Sequence, residues 1–137
     1  MLIIVYLLTR KKKPIIKAVE IDAYQEARKQ LTGLQKEQVD AKEYFTKLVD
    51  IFRWYLQRRT DIISIDLTTA DLVNQLRSLR LENYDQLKQV LTLSDFVKFA
   101  KYQPTDRERK VSVDVIQNSI GRIEEQYKQK NATAQPH

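Results

Sequence analysis

The stretch Ala41-Lys42-Glu43-Tyr44-Phe45-Thr46-Lys47-Leu48-Val49-Asp50-Ile51-Phe52-Arg53-Trp54-Tyr55-Leu56-Gln57-Arg58-Arg59 decides the fold. Within it Tyr44, Phe45, Leu48, Phe52, Tyr55 and Leu56 recur at three- and four-residue steps and form one apolar stripe, the mark of an amphipathic helix. The spacing predicts a helix from about Val39 to Arg59. One such helix needs neighbours that cover its stripe, and the flanking sequence supplies them.

Upstream, from Ala18, Ile21, Tyr24, Ala27, Leu31 and Leu34 repeat at helical spacing, which predicts a helix ending near Gly33. Downstream, Thr60-Asp61 and then Ile62-Ile63-Ser64-Ile65 break the period with β-branched residues. They read as an extended connector that tucks its isoleucines into the core. A third helix starts at Thr68 or Thr69 as N-cap with Asp71 in its first turn, and it buries Leu72, Val73, Leu76 and Leu79. A fourth begins near Asn83 with Tyr84, Leu87, Val90 and Leu91 facing inward. Its apolar character continues through Leu93–Tyr102 after a break near Ser94, and Pro104 ends it. Thr105 then caps a fifth helix, Asp106 and Glu108 suit its positive end, and Val113, Ile116, Ile120, Ile123 and Tyr127 mark its inner face to about Lys128.

The fold class is therefore all-α, a single bundle of about five helices without a sheet. Two glycines and three prolines leave little punctuation for strands and turns. At 42% apolar and 31% charged residues, 137 residues suffice for one globular core. No 20- to 50-residue repeat is convincing, so an isolated bundle is favoured over a helical-hairpin array. Three segments result: 1–17, then a helical domain over 18–128, then a polar tail, 129–137, expected to be disordered.

Residues 1–8, Met1-Leu2-Ile3-Ile4-Val5-Tyr6-Leu7-Leu8, are continuously apolar but too few to span a bilayer alone. A secretory signal places its positive charges before the apolar run, and here they follow it. Apolar residues, a tyrosine, and then Arg10, Lys11, Lys12 and Lys13 match the cytoplasmic exit of a spanning helix, with the alternative of a buried strand and a solvated basic turn. The same basic residues can attract anionic lipids. They also dominate the net charge of +6: without Arg10, Lys11, Lys12, Lys13 and Lys17 the 24 basic groups fall to 19, against 18 acidic ones. The body of the chain is close to neutral, which weakens a nucleic-acid reading of the overall charge.

Residues able to carry chemistry are few. The single histidine, His137, is the last residue, and cysteine is absent, so thiolate metal sites and disulfides are excluded. The carboxylate pairs Glu124-Glu125 and Asp61 with Asp66 have no metal-loop spacing and read as solvated faces. Gly33 and Gly121 cannot build a phosphate loop, and Gly121, inside a helix, is expected to mark close packing of a neighbour. The chain is read as a non-enzyme without a cofactor, metal or small-molecule substrate. A peripheral enzyme with an unfamiliar site is the weakest competitor.

Two clusters can carry binding. Trp54 and Tyr55 with Arg53, Arg58 and Arg59 combine aromatic and guanidinium groups, as core packing with a solvated basic edge, as a protein contact, or as a nucleic-acid contact. Phe96, Phe99 and Tyr102 with Lys98 and Lys101 read as core, the lysines reaching solvent along their stems. Arg53, Trp54, Arg58, Arg59, Lys98 and Lys101 are the candidate partner contacts.

The stretches Ala41–Arg59, Leu67-Thr68-Thr69-Ala70-Asp71-Leu72 and Leu93–Pro104 resemble the cytoplasmic C-terminal region of Bat-type (oxygen-tolerance, BatD-like) membrane proteins of the Bacteroidetes, over roughly residues 18 to 128. The resemblance implies a membrane-anchored accessory protein of the bacterial inner membrane, residues 18–137 on the cytoplasmic side. Its implied partners are a MoxR-type AAA+ ATPase and von Willebrand A-domain proteins, and it brings no catalytic residue with it. The expected function is a protein-interaction module. The alternative is a small basic helical nucleic-acid-binding domain.

Overall fold

The computed structural model describes residues 22–134, and among them the chain forms five α-helices: α1 (Ala23–Lys36), α2 (Ala41–Arg59), α3 (Thr69–Leu76), α4 (Tyr84–Phe99) and α5 (Asp106–Ala134). Two 3-10 turns, Ser64–Asp66 and Arg77–Leu79, flank α3, and no strand occurs among the described residues. The all-α bundle read from the periodicity is the observed fold. The basic residues Arg10, Lys11, Lys12 and Lys13, the apolar run before them and the helical start at Ala18 lie outside the described residues. Among the described residues, no helix is long and apolar enough to cross a membrane.

Local signals fix the helix starts. Asp22 accepts from the N–H groups of Tyr24 and Gln25 at 2.9 and 3.1 Å, Asp40 from Glu43 at 2.8 Å, and Thr68 from Asp71 at 3.2 Å. Thr105 and Glu108 form a reciprocal capping box: Glu108 N–H donates to Thr105 Oγ1 at 3.0 Å, and Thr105 N–H donates to Glu108 Oε1 at 2.8 Å. Asn83 precedes α4 without a side-chain cap bond, and its amide nitrogen donates to Ser119 Oγ at 2.9 Å, which ties the start of α4 to α5.

All six stripe residues of α2 are buried, together with Val49 and Ile51. That breadth reflects the central place of α2, which packs against α1, α4 and α5, while α5 in turn packs against α1 and α4. Arg109 of α5 reaches the Val39 carbonyl at one end of α2, and Glu124 meets Arg59 at the other, so α2 and α5 run parallel. Helices α1 and α4 run the other way. Asp22 lies by Arg59, Glu37 by Lys47 and Asn83 by Ser119, while Tyr102, just past α4, meets Glu108 at the start of α5.

Several expectations need correction. Helix α1 does not stop at Gly33 but runs on to Lys36, because Leu34 is buried one step beyond the glycine. No break occurs at Ser94, which is buried on the α4 face that also carries Leu87, Val90, Leu91 and Val97. The helix ends at Phe99, before Pro104: Ala100 and Tyr102 N–H groups both reach the Phe96 carbonyl, and Lys101 is left-handed at φ 57°. Residues 129–134, expected to belong to a polar tail, continue α5 past Lys128, and 135–137 lie outside the described residues. A Cβ added at Gly121 would meet nothing within 4 Å, so this glycine marks no close approach.

The connector is also different. Only Ile62 is buried, whereas Ile63 and Ile65 are 63% and 55% exposed. The turn at Ser64–Asp66 directs the serine inward: its hydroxyl donates to the Arg53 carbonyl, and Arg53 Nη1 donates to the carbonyls of Ser64 and Leu67, the latter at 2.6 Å. A polar clamp and the single buried isoleucine, Ile62, hold this segment.

Candidate interaction surface

The two clusters singled out in the sequence take up different places in the bundle. Arg53, Trp54, Arg58 and Arg59 do not form one surface. Arg53 is engaged by the connector, Trp54 packs against the core, and Arg58 lies over the Trp54 ring at 5.2 Å. Arg59 turns inward, where Nε donates to Glu124 Oε1 at 3.0 Å, Nη2 reaches Asp22 at 3.3 Å, and the guanidinium sits 4.1 Å above the Tyr127 ring. Glu124, read as part of a solvated pair, is only 6% exposed. It also accepts from the Tyr55 hydroxyl at 2.6 Å. Burial and then that hydrogen bond hold the Tyr55 phenol well above its ordinary range, so it stays a donor. Burial works against the Arg59 charge, but Glu124 outweighs it and leaves Arg59 above its usual value.

The aromatic cluster at the end of α4, read as core, faces outward. Phe99 is 77% exposed, Phe96 54% and Tyr102 42%. Helical phase explains this: Ser94 and Val97 continue the inward face of Leu87, Val90 and Leu91, and a residue two positions after Ser94 lies on the far side of the helix. Lys98 places its ammonium 5.4 Å from the Phe99 ring centroid, and Lys101 is exposed in the turn beyond. The Tyr102 hydroxyl donates to both carboxylate oxygens of Glu108, at 3.0 and 3.1 Å, which raises its pKa and fixes it at the start of α5. Glu108 is correspondingly lowered, first by the Thr105 N–H and then by Tyr102.

Leaving a phenylalanine in water forgoes about 1.5–3 kcal/mol of burial. Two adjacent ones, with cations beside them, form the kind of apolar patch that marks a contact surface. The cleft of about 550 Å³ between α1 and α2 is lined by Leu34, Ile51 and Trp54 together with side chains of both signs, Glu26, Lys29, Glu37, Lys47 and Asp50. Among the described residues no group of three or more acidic, histidine or cysteine side chains could hold a metal ion. The corner where α4 meets α5 lies at the opposite end of the bundle from Asp22, separated along α1 by roughly 20 Å.

No family model matches this chain, and neither the curated proteins nor the solved structures compared with it give a match.

Proposed function

We propose that the domain is a non-enzymatic protein-docking module whose contact surface is the α4–α5 corner, with Phe96 and Phe99 as anchors and Lys98, Lys101 and Tyr102 around them. The exposure of two neighbouring phenylalanines at a helix end carries the reading, since large apolar side chains grouped in water mark contact surfaces. Their distance from Asp22 supports it further, because a segment that anchors the chain ahead of Asp22 leaves this corner free to meet a partner. With the resemblance to Bat-type proteins, the proposal extends to a membrane-anchored accessory protein of the bacterial inner membrane. Its docking domain would be cytoplasmic and its partner a MoxR-type AAA+ ATPase or a von Willebrand A-domain protein.

Photo-crosslinking tests this. A photoreactive phenylalanine analogue at position 99 of the full chain, activated in cells, should capture one of those two proteins, and the same analogue at position 42 on the exposed side of α2 should not. Capture of neither from position 99 would overturn the proposal.

A further inference from the structure

A lysine stands where the backbone favours glycine at the end of α4. Two described residues other than glycine have positive φ, Arg80 at 53° and Lys101 at 57°. In that region a Cβ crowds the following carbonyl, which is why glycine is the usual residue just past a helix. Both glycines of the chain lie inside helices instead, with open space where a Cβ would go. A side chain kept against the preference of its backbone points to a use for that side chain.

The surroundings of Lys101 indicate the use. The N–H groups of Ala100 and Tyr102 both reach the Phe96 carbonyl, which closes α4 around Lys101. The Tyr102 hydroxyl is tied to both Glu108 oxygens, so the turn is also fastened to α5. Lys101 is therefore a long, exposed side chain on a fixed base, set between the exposed Phe99 and Tyr102. Its ammonium has no hydrogen bond, ion pair or ring contact among the described residues, whereas that of Lys98 lies 5.4 Å from the Phe99 ring. Arg80 shares the backbone geometry but not the setting, since its neighbours Leu79 and Leu81 are half-buried and buried.

Charge at this corner is mixed. Asp95, Asp106 and Glu108 are interspersed with Lys98, Lys101 and Arg107 along the chain, so no net field selects a partner. One placed cation can still discriminate. A carboxylate brought against it beside a covered aromatic ring is held in position and partly shielded from water.

We propose that Lys101 is the specificity-determining residue of the docking corner: its ammonium pairs with a carboxylate of the partner protein while an apolar side chain of that partner covers Phe99. This rests on the docking function proposed above and names a contact within the same site. The left-handed turn places the lysine there at a cost in stability, so binding and stability oppose each other at this position.

Four variants of the full 137-residue chain test it, by melting temperature and by recovery of the MoxR-type ATPase or the A-domain protein from detergent-solubilised membranes. Lys101→Gly should melt higher than the unaltered chain yet recover at least about fivefold less partner. Lys101→Asn tolerates the left-handed turn without a charge and should lose as much, and Lys101→Arg should keep most of the recovery. Arg80→Gly should also melt higher, with recovery unchanged, because it shares the backbone gain and not the contact. Full recovery with Lys101→Gly or Lys101→Asn would overturn the inference, and so would an equal loss in Arg80→Gly. A lower melting temperature for Lys101→Gly would overturn it as well, since the lysine would then have no cost to explain. If the unaltered chain recovers a partner and Lys101→Gly recovers as much, this inference fails alone. If the unaltered chain recovers neither protein, the docking function fails with it.

Discussion

Arg59 and Glu124 meet inside the bundle, Nε to Oε1 at 3.0 Å, and thereby fasten the end of α2 to α5. The same carboxylate oxygen takes the Tyr55 hydroxyl, and the same guanidinium reaches Asp22, the cap of α1. Three helices are joined at this point. Removing Glu124 takes the acceptor from the buried Tyr55 hydroxyl and from Arg59 Nε while leaving the guanidinium with Asp22 and the Tyr127 ring, so Glu124→Ala should cost about 2–4 kcal/mol in chemical denaturation. Replacing both, Arg59→Met with Glu124→Leu, in a Tyr55→Phe background that strands no hydroxyl, should fall within about 1 kcal/mol of that background, because the desolvation penalty disappears with the pair. Equal loss in the single and double variants would show that the pair does not act as a unit.

Glu108 makes stability depend on pH. Its folded pKa is depressed below the ordinary value of 4.5 by the Thr105 N–H and the Tyr102 hydroxyl. A depressed carboxylate stabilises the fold fully above that ordinary value, and the contribution is lost as pH falls from there through the lowered value. Glu108→Gln should therefore lower the melting temperature at pH 7 but make little difference near pH 2. A constant gap at both pH values would contradict this assignment.

Backbone freedom is misplaced at Gly33, Gly121 and Lys101, among other positions. Gly33 and Gly121 lie inside helices with open space where a Cβ would go, so Gly33→Ala and Gly121→Ala should each stabilise by about 0.5–1 kcal/mol. Lys101 has the converse problem, a side chain at φ 57°, and Lys101→Gly should gain up to about 1 kcal/mol. Differential scanning calorimetry on the three variants checks all these signs.

Arg53 is read here as the clamp of the connector. Arg53→Met keeps the stem but removes donors from the Ser64 and Leu67 carbonyls, and should cost about 2 kcal/mol. Hydrogen exchange should accelerate at Ser64–Leu67 before it does elsewhere. Unchanged exchange there would argue against the clamp.

The helices were legible because α2 repeats its apolar residues with one phase throughout and because Asp71 and the Thr105–Glu108 pair are local signals. Spacing tells which residues share a face. It does not say which polar residue on that face finds a tertiary partner. Glu124 lies four residues after Ile120 and three before Tyr127, on the apolar stripe of α5, and that position was the available clue to its burial. The exposure of Phe96 and Phe99 was also encoded in phase, since extending Leu87, Val90 and Leu91 leads to Ser94 and Val97. Residue type pulled the other way, because phenylalanine normally argues for core. The inward turn of Ser64 had no sequence signal, as it depends on Arg53, eleven positions earlier.

The central claim is that the α4–α5 corner docks a protein, and comparing the full chain with its Phe96→Ser, Phe99→Ser variant tests it most directly. Both side chains are exposed, so the variant should unfold within about 0.5 kcal/mol of the unaltered chain. Purified from detergent-solubilised membranes, the unaltered chain should bring down the MoxR-type ATPase or the A-domain protein, and the variant should lose at least nine-tenths of it. Equal recovery with both chains, or neither protein with the unaltered one, would contradict the account.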